Sequence, residues 1–248
     1  MSEAPDRPGK LAVGLLGPLE LMVAGRAVPL ATGRLPTLLA VLAMAAGGPV
    51  PVDRLAAALW GGEAQPGIAR RSVQTYLARL RAILPAGSID TTPVGYLLRV
   101  DPDDVDALRL LRQLDAAAGA PDRDTERARL AGALALWRGS PFEGLDSDWL
   151  ARTEAPRLLE RYLSGLERRV DLDLQAGRHR ELVPELRQLT GRHPLRESLW
   201  VRLLAALDRG ERHAEALAEY QAVRARLADE LGVDPGPQLR RAHADLLA

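Results

Sequence analysis

The chain has 248 residues, which is enough for two domains or one large one, and its 47% apolar and 27% charged content is typical of a soluble globular protein. The absence of cysteine excludes disulfides, thiol catalysis and cysteine-bound metals. The sequence contains no signal-peptide hydrophobic region and no apolar run long enough to cross a membrane, which predicts a cytoplasmic protein with no membrane partner.

The formal charge of zero hides an uneven distribution of charge along the chain. Of the 33 basic and 33 acidic side chains, residues 1–100 carry 10 and 6, whereas residues 101–248 carry 23 and 27. A basic half followed by an acidic half is consistent with DNA contact by the first half and protein contact by the second.

The beginning of the chain has the pattern of a small sheet followed by short helices. We expect residues 1–10 to be disordered. Short apolar runs separated by turn residues then predict three strands, at 11–16, 19–23 and 27–30. A first helix is predicted over 37–46, with Pro36 in its first turn, and a second over 52–62.

The most informative segment is a predicted helix over residues 70–84. Its apolar side chains recur at helical spacing and form one stripe, made of Val73, Leu77, Leu80 and Leu84. At about 100° per residue, Arg71, Thr75 and Ala78 point away from that stripe. They are flanked by Gln74 and Arg81 on one side and by Ser72 and Arg79 on the other. The segment contains no carboxylate, so its outer face has the composition of a helix that enters the DNA major groove. The alternative is an ordinary amphipathic surface helix.

The surroundings of this helix favour DNA binding. The helix over 52–62 and a turn over 63–67 precede it, which together with the basic outer face gives the helix-turn-helix pattern. Two strands follow, at 89–92 and 96–100, and a β-hairpin directly after a recognition helix is a wing. We expect Trp60 and Tyr96 to pack the helices against this wing. Residues 11–100 are therefore predicted to be an α+β winged helix-turn-helix domain.

From residue 101 onward the strand signals disappear, and a leucine and alanine pattern predicts an all-α domain over 101–248. A set of residues that begins with Arg178, His179 and Glu181 recurs 34 residues later as Arg212, His213 and Glu215. Thirty-four residues is the period of tetratricopeptide helix pairs, so this half is predicted to be a tetratricopeptide-like helical repeat that holds partners.

Nothing in the sequence indicates catalysis or a cofactor. The phosphate-binding, dinucleotide-binding, zinc-protease and hydrolase patterns are absent. His179 and His213 occupy equivalent repeat positions and are expected to be structural, and His193 and His243 have no evident partners. The acidic cluster of Asp101, Asp103, Asp104 and Asp106, and the pair Asp146 and Asp148, are expected to cap helix starts rather than to bind metal. We therefore predict a protein that is not an enzyme and that has no cofactor or metal site.

A series of short motifs in a fixed order identifies the chain as similar to a known family. Residues 11–100 resemble the OmpR-type DNA-binding domain, and nearly the whole chain from residue 11 resembles the Streptomyces antibiotic regulatory protein (SARP) family, whose second half is a bacterial transcriptional activator domain. The motifs that carry the resemblance are Leu16-Gly17-Pro18-Leu19-Glu20, Val52-Asp53-Arg54-Leu55, Ala58-Leu59-Trp60-Gly61, Val73-Gln74, Arg79-Leu80-Arg81, Gly95-Tyr96-Leu97-Leu98, Asp104-Val105-Asp106, Ala135-Leu136-Trp137-Arg138-Gly139, Gly177-Arg178-His179, Glu181-Leu182, His193-Pro194-Leu195-Arg196-Glu197 and Glu230-Leu231-Gly232-Val233-Asp234-Pro235-Gly236-Pro237.

The resemblance implies a transcriptional activator, commonly of an antibiotic or other secondary-metabolite gene cluster. It implies side-by-side binding of two protomers to direct repeats in promoter DNA, near the −35 region, and recruitment of RNA polymerase with its sigma factor. Arg71, Gln74 and Thr75 are the candidates for base readout, and Arg79 and Arg81 for phosphates. The full set of candidate DNA-binding residues is Arg70, Arg71, Ser72, Gln74, Thr75, Arg79, Arg81 and Arg99.

Two other functions remain open at the level of the sequence. The first is a repressor with the same DNA contacts, because a DNA-binding domain does not reveal the direction of regulation. The second is a repeat scaffold whose winged helix binds protein instead of DNA.

Overall fold

The computed structural model describes residues 10–61 and 66–247. Most of the predicted disordered segment over 1–10 and residues 63–65 of the predicted turn therefore lie outside the described residues. The chain forms two compact units. The first comprises the described residues up to Gly119 together with Arg129–Leu163, and the second comprises Ala120–Ala128 and the described residues from Ser164 onward. The expected boundary near residue 100 stays a prediction.

The first unit begins with a three-stranded antiparallel sheet of order β1-β2-β3. Its strands are β1 (Leu11–Gly14), β2 (Glu20–Val23) and β3 (Arg26–Ala27). In β1 the side chains alternate between buried and half-buried, because successive residues of a strand point to opposite faces. β2 and β3 are joined by a tight turn in which Ala24 and Gly25 both have a left-handed φ.

Three helices and a hairpin follow the sheet in the same unit. They are α1 (Arg34–Met44), α2 (Val52–Trp60), α3 (Pro66–Ile83), β4 (Ile89–Thr91) and β5 (Tyr96–Leu98). α1 is buried along nearly its whole length, which makes it the centre of this core. α2 and α3 each turn one apolar stripe inward. A small antiparallel hairpin, β4–β5, comes directly after α3, as the sequence predicts.

Asp106 has a different role from the predicted helix cap. In the expected cluster, Asp101 does accept a hydrogen bond from the Asp103 amide at the start of the 3-10 turn Pro102–Asp104. Asp106 instead lies at the start of α4 (Asp106–Ala118), only 8% exposed, and accepts hydrogen bonds from the amides of Leu15 (2.6 Å) and Leu16 (3.2 Å) after β1. Its carboxylate thus fixes the end of the first strand rather than its own helix.

The remaining helices are α5 (Arg123–Leu134), α6 (Ala155–Gln175), α7 (His179–Arg192), α8 (Glu197–Arg209), α9 (His213–Leu231) and α10 (Pro237–Leu246). One π-helical turn, Leu150–Glu154, stands before α6. Helical backbone runs without a break from Asp148 through this turn into α6, so the irregular turn lies where Pro156 removes an amide donor from the helix interior. Among the described residues, no helix is both long and apolar enough to cross a membrane.

The second unit confirms the helical repeat. α7 and α9 begin 34 residues apart, at His179 and His213. The turn before each helix is also the same, because the Arg178 amide donates to the Asp173 carbonyl (3.0 Å) and the Arg212 amide to the Leu207 carbonyl (2.9 Å). The sequence period is therefore a period of backbone structure and not only of leucine spacing.

Candidate nucleic-acid interface

The inner side of α3 is packed into the core of the first unit. Val73, Leu77 and Leu80 are 0%, 1% and 0% exposed, which shows that the predicted apolar stripe is buried along its length. Leu55 and Leu59 of α2 are buried as completely. Because both helices bury their stripes, the rotation of α3 about its axis is fixed, and so is the direction of its outer face.

The outer face of α3 is open to solvent. Its exposed residues are Arg70, Arg71, Gln74, Thr75, Ala78, Arg79 and Arg81, and Ser72 is half-buried. α3 begins at Pro66, four residues before the predicted start, and carries no carboxylate side chain. A solvent-facing helix surface with guanidinium, amide and hydroxyl groups and no acid is able to donate to phosphate oxygens and to base edges.

The polar groups on this face differ in how far they are already engaged. Within the described ranges, Arg71 and Gln74 have no side-chain hydrogen-bond partner. The Thr75 hydroxyl donates to the Arg71 carbonyl one turn earlier (3.0 Å). Arg70 pairs with Asp53 of α2 (3.2 Å), but the two side chains are 61% and 74% exposed. Such an exposed pair contributes little stability and is readily exchanged for a phosphate.

Two of the candidate arginines are instead bonded to the hairpin. Arg81 donates through Nε (3.3 Å) and Nη2 (3.2 Å) to the Ile89 carbonyl, and through Nη2 to the Thr91 hydroxyl (2.8 Å). Arg99 pairs with Asp90 (2.6 Å), and this hydrogen bond raises the pKa of the Arg99 guanidinium. These contacts are internal to the first unit, and sequence spacing alone does not reveal them.

The hairpin is attached to the rest of the unit by a short backbone bridge. The Val50 amide donates to the Tyr96 carbonyl (2.7 Å) and the Tyr96 amide to the Val50 carbonyl (3.0 Å). At the turn, the Thr92 amide donates to the Gly95 carbonyl (2.8 Å), and Val94 is 60% exposed. The bridge therefore anchors the turn end of the hairpin, and the apolar side chain of Val94 projects from that turn.

The aromatic contacts around α3 differ from the expected pairing. The ring of Trp60 lies 6.3 Å from that of Tyr76 on α3 rather than against the hairpin. Tyr96 is buried in the hairpin, where the Arg81 guanidinium lies 5.7 Å from its ring centre. The aromatic contact between α3 and the hairpin is therefore the Arg81 guanidinium against the Tyr96 ring, and not Trp60 packed against the hairpin.

The carboxyl end of α2 is held by a residue that the sequence did not single out. The Ser147 hydroxyl donates to the Ala58 carbonyl (2.7 Å) and accepts from the Leu150 amide (3.3 Å). The same serine, rather than the predicted Asp146, caps the start of the helical stretch that begins at Asp148, and Asp146 and Asp148 are both exposed. A hydroxyl both donates and accepts, so it satisfies a buried carbonyl and a buried amide at once. An ionised carboxylate only accepts, so it cannot bond to the carbonyl.

Metal and cofactor groups have no evident place at this interface. Within residues 10–61 and 66–247, no three histidine, aspartate or glutamate side chains come together in the manner of a metal site. In the described part of the chain, the exposed charged residues on α2 and α3 are five arginines and one acid, Asp53, so this surface is suited to contacts with a polyanion rather than with a cation.

Comparison with known proteins places the chain among bacterial regulators. Residues 104–247 match the family described as the bacterial transcriptional activator domain. Over its length the chain is 35% identical to the regulatory protein DnrI of Streptomyces peucetius, covering 96% of this chain and 93% of DnrI. It is 39% identical to the regulatory protein AfsR of Streptomyces coelicolor, covering 98% of this chain and 25% of AfsR.

A solved structure is similar as well. The structure described as Mycobacterium tuberculosis EmbR in complex with low affinity phosphopeptide superposes with a TM-score of 0.85 at 33% identity, covering 96% of this chain and 65% of that one. In sequence, the chain is 34% identical to the transcriptional regulatory protein EmbR and spans 63% of its length. On these matches, the chain belongs to the SARP family of transcriptional regulators and contains its bacterial transcriptional activator domain.

Proposed function

We propose that this chain is a sequence-specific DNA-binding activator of transcription that places α3 in the major groove. The observation that carries the proposal is the outer face of α3, where Arg71, Gln74 and Arg79 are exposed on a helix whose opposite side is buried and which has no carboxylate. A helix held in this way presents forked donors to base edges at a fixed angle, and nothing on its own surface repels phosphate.

The residues of this face divide into two roles. Arg71, Gln74 and Thr75 read base edges, and each forked contact contributes about 1–3 kcal/mol of discrimination against a wrong base. Arg79 and Arg70 reach phosphates, which supply affinity and register but no sequence choice. Arg70 leaves its exposed pair with Asp53 to do so.

The hairpin completes a winged helix-turn-helix in this proposal. α2 and α3 are the two helices of the motif, and β4–β5 is the wing. Arg99, at the base of the hairpin, contributes positive charge next to the DNA backbone although Asp90 partly neutralises it. Ser72 lies at the edge of the outer face, where its hydroxyl reaches a phosphate or a base.

The family supports a fuller description of how the chain acts. Two protomers bind side by side on direct repeats near the −35 region, which compensates for the few phosphates that one small domain neutralises. The acidic helical half assists dimerisation and contacts RNA polymerase with its sigma factor. The target is a secondary-metabolite gene cluster, and the place of action is the nucleoid in the cytoplasm.

The proposal is tested by DNA binding over a range of salt concentrations. Wild-type protein is titrated against promoter fragments from its neighbouring genes, alongside Arg71→Ala and Gln74→Ala. We expect each substitution to weaken specific binding about 10-fold and to relax the choice of base at one position. Arg224→Ala is the matched control, because Arg224 is exposed on α9 and should leave affinity unchanged.

Two outcomes would contradict the proposal. Binding that does not fall steeply with salt would show that phosphates are not the main source of affinity. Equal effects of Arg71→Ala and Arg224→Ala would show that α3 is not the contact surface. Transcription with purified RNA polymerase then decides the direction of regulation, and we expect more transcript when the protein is added to a bound promoter.

A further inference from the structure

Arg81 occupies a special position between the two exposed parts of the proposed DNA-binding surface. On α3 it follows Gln74 by seven residues, so it lies at the edge of the outer face. Its side chain is exposed, but its guanidinium is bonded to the hairpin, at the Ile89 carbonyl and the Thr91 hydroxyl. Of the arginines on this helix, Arg81 is thus the one that links α3 to β4.

The geometry of this link depends on the guanidinium group. Nε and Nη2 both approach the Ile89 carbonyl oxygen, at 3.3 Å and 3.2 Å, while Nη2 also reaches the Thr91 hydroxyl at 2.8 Å. The same group lies 5.7 Å from the Tyr96 ring centre. The planar guanidinium holds these donors in one fixed fork beside an aromatic ring, and a lysine ammonium, which is a compact point charge, does not reproduce that geometry.

The attachment sites of Arg81 determine where the hairpin points. Ile89 and Thr91 are the two ends of β4, and Tyr96 begins β5. The other attachment is the two-bond bridge between Val50 and Tyr96, next to the turn. A hairpin of two three-residue strands has little stability of its own, so these contacts with the rest of the unit set its direction.

We propose that Arg81 is a positioning residue that locks the β4–β5 hairpin to α3, so that the exposed tip at Val94 reaches the DNA in register with the outer face of the helix. This inference rests on the proposed function and changes the role expected for Arg81, from a phosphate contact to an internal brace. Because the two surfaces are rigidly joined, binding by one raises the effective concentration of the other at the same DNA site. Loss of the brace therefore weakens DNA binding without removing a contact to DNA.

The test compares Arg81→Lys with Arg81→Gln in binding to the same promoter fragment. A phosphate contact survives replacement by lysine, because lysine is itself a phosphate ligand, but fails with glutamine. A fork-shaped brace fails with both. We expect both variants to lose affinity by a similar factor, about 10-fold, which is the size of one hydrogen-bonded contact to a charged group. Arg81→Lys should keep the slope of affinity against salt, since it keeps its charge.

Arg79 supplies the matched control on the same helix. Its guanidinium is exposed and lies 5.7 Å from the Tyr76 ring, and it has no hydrogen-bond partner among the described residues. We expect Arg79→Lys to lose less affinity than Arg79→Gln, because lysine is itself a phosphate ligand. Arg79→Gln should lose affinity and reduce the salt slope by about one.

Hydrogen exchange without DNA gives an independent readout. Both Arg81 variants should speed exchange of the Thr92 amide, which bonds to the Gly95 carbonyl within the hairpin, by about 10-fold. Exchange of the Leu77 amide in α3 should not change, which excludes general unfolding. The Arg79 variants should leave both amides unchanged.

The outcomes separate the inference from the function on which it rests. If Arg81→Lys binds as well as the wild type while Arg81→Gln does not, Arg81 is a phosphate contact and the inference is wrong. Unaltered exchange at Thr92 in both variants also overturns it. If the wild-type protein itself ignores DNA at low salt, the proposed function fails, whatever the hairpin does.

Discussion

Gly95 is the position where the structure makes its sharpest prediction about stability. A Cβ atom at Gly95 would lie 2.0 Å from the Val50 carbonyl oxygen, 2.7 Å from the Val50 carbonyl carbon and 2.9 Å from the Pro51 Cα. All three are backbone atoms, so no side-chain rotation relieves the contact. Gly95 does not have a left-handed φ, and the effect of Gly95→Ala is therefore one of space alone.

The size of the effect follows from what must move. To admit the methyl group, Val50 has to separate from the hairpin, which breaks the bonds from the Val50 amide to Tyr96 and from the Tyr96 amide to Val50. Val50 and Tyr96 are 1% and 8% exposed, so water does not replace the lost bonds fully. Two buried backbone bonds lost in this way cost about 2–4 kcal/mol in free energy of unfolding.

The assay is a thermal melt followed by circular dichroism. A loss of this size lowers the melting temperature by about 5–15 °C in a chain of this length. The matched control is Gly132→Ala in α5, where a Cβ would meet nothing within 4 Å. There alanine favours the helix by about 0.5–1 kcal/mol, so the melting temperature should stay level or rise slightly.

The comparison of the two variants decides whether the reasoning holds. The same chemical change should have opposite signs at the two positions, because only one of them is closed by backbone. If Gly95→Ala melts within about 2 °C of the wild type, displacing Val50 does not lower the free energy of unfolding, and the Val50–Tyr96 bridge does not restrain the hairpin as described.

Three further predictions concern polar and strained residues. Asp106→Ala removes the acceptor for two buried amides and should cost about 3 kcal/mol in urea unfolding, whereas Asp106→Asn, which keeps one acceptor oxygen, should cost less. Glu211 has a left-handed φ of 60°, and the equivalent position of the repeat, 34 residues earlier, is Gly177 with a φ of 79°. Because glycine adopts such a φ without strain, Glu211→Gly should raise the melting temperature by up to about 4 °C, and a lower melting temperature would contradict this. Hydrogen bonds from Arg212 and then Arg187 lower the pKa of Glu215 from 4.5 to about 2, so its contribution to stability is complete above pH 4.5 and is lost as the pH falls through about 2. Glu215→Gln should therefore flatten the loss of melting temperature in that range, and an identical pH profile in both proteins would refute the assignment.

The sequence was informative wherever the signal is local. The burial of Val73, Leu77 and Leu80 and the exposure of Arg71 follow from helical spacing, because the angle between neighbouring residues in a helix is constant. The hairpin and the 34-residue repeat are likewise local patterns, and the structure contains both. The assignment of α3 to DNA remains a proposal, since exposure is necessary for contact but does not demonstrate it.

The sequence was uninformative about side-chain partners that depend on how one element packs on another. Arg81 and Arg99 were expected to face DNA because arginine at the edge of a basic helix or after a wing is typical of phosphate contacts. In the structure both are bonded to β4, which depends on how closely the hairpin packs on α3. The use of Ser147 rather than Asp146 as the cap of the helical stretch from Asp148 depends in the same way on packing, because the buried Ser147 hydroxyl also donates to the Ala58 carbonyl.

The family motifs show most clearly what the sequence determines and what the tertiary structure decides. By itself the sequence determined which residues form helices, which side of α3 is apolar and where the repeat recurs, since each of these depends on spacing along one element. Only the tertiary structure brought distant motifs together. Asp106 and Arg138 meet at 3.2 Å beside the end of β1, and the Glu197 carboxylate accepts from the Gly236 amide at 2.7 Å. Such pairs form because buried backbone amides and charges need partners, and the partner is whichever group the packing of the helices brings within reach.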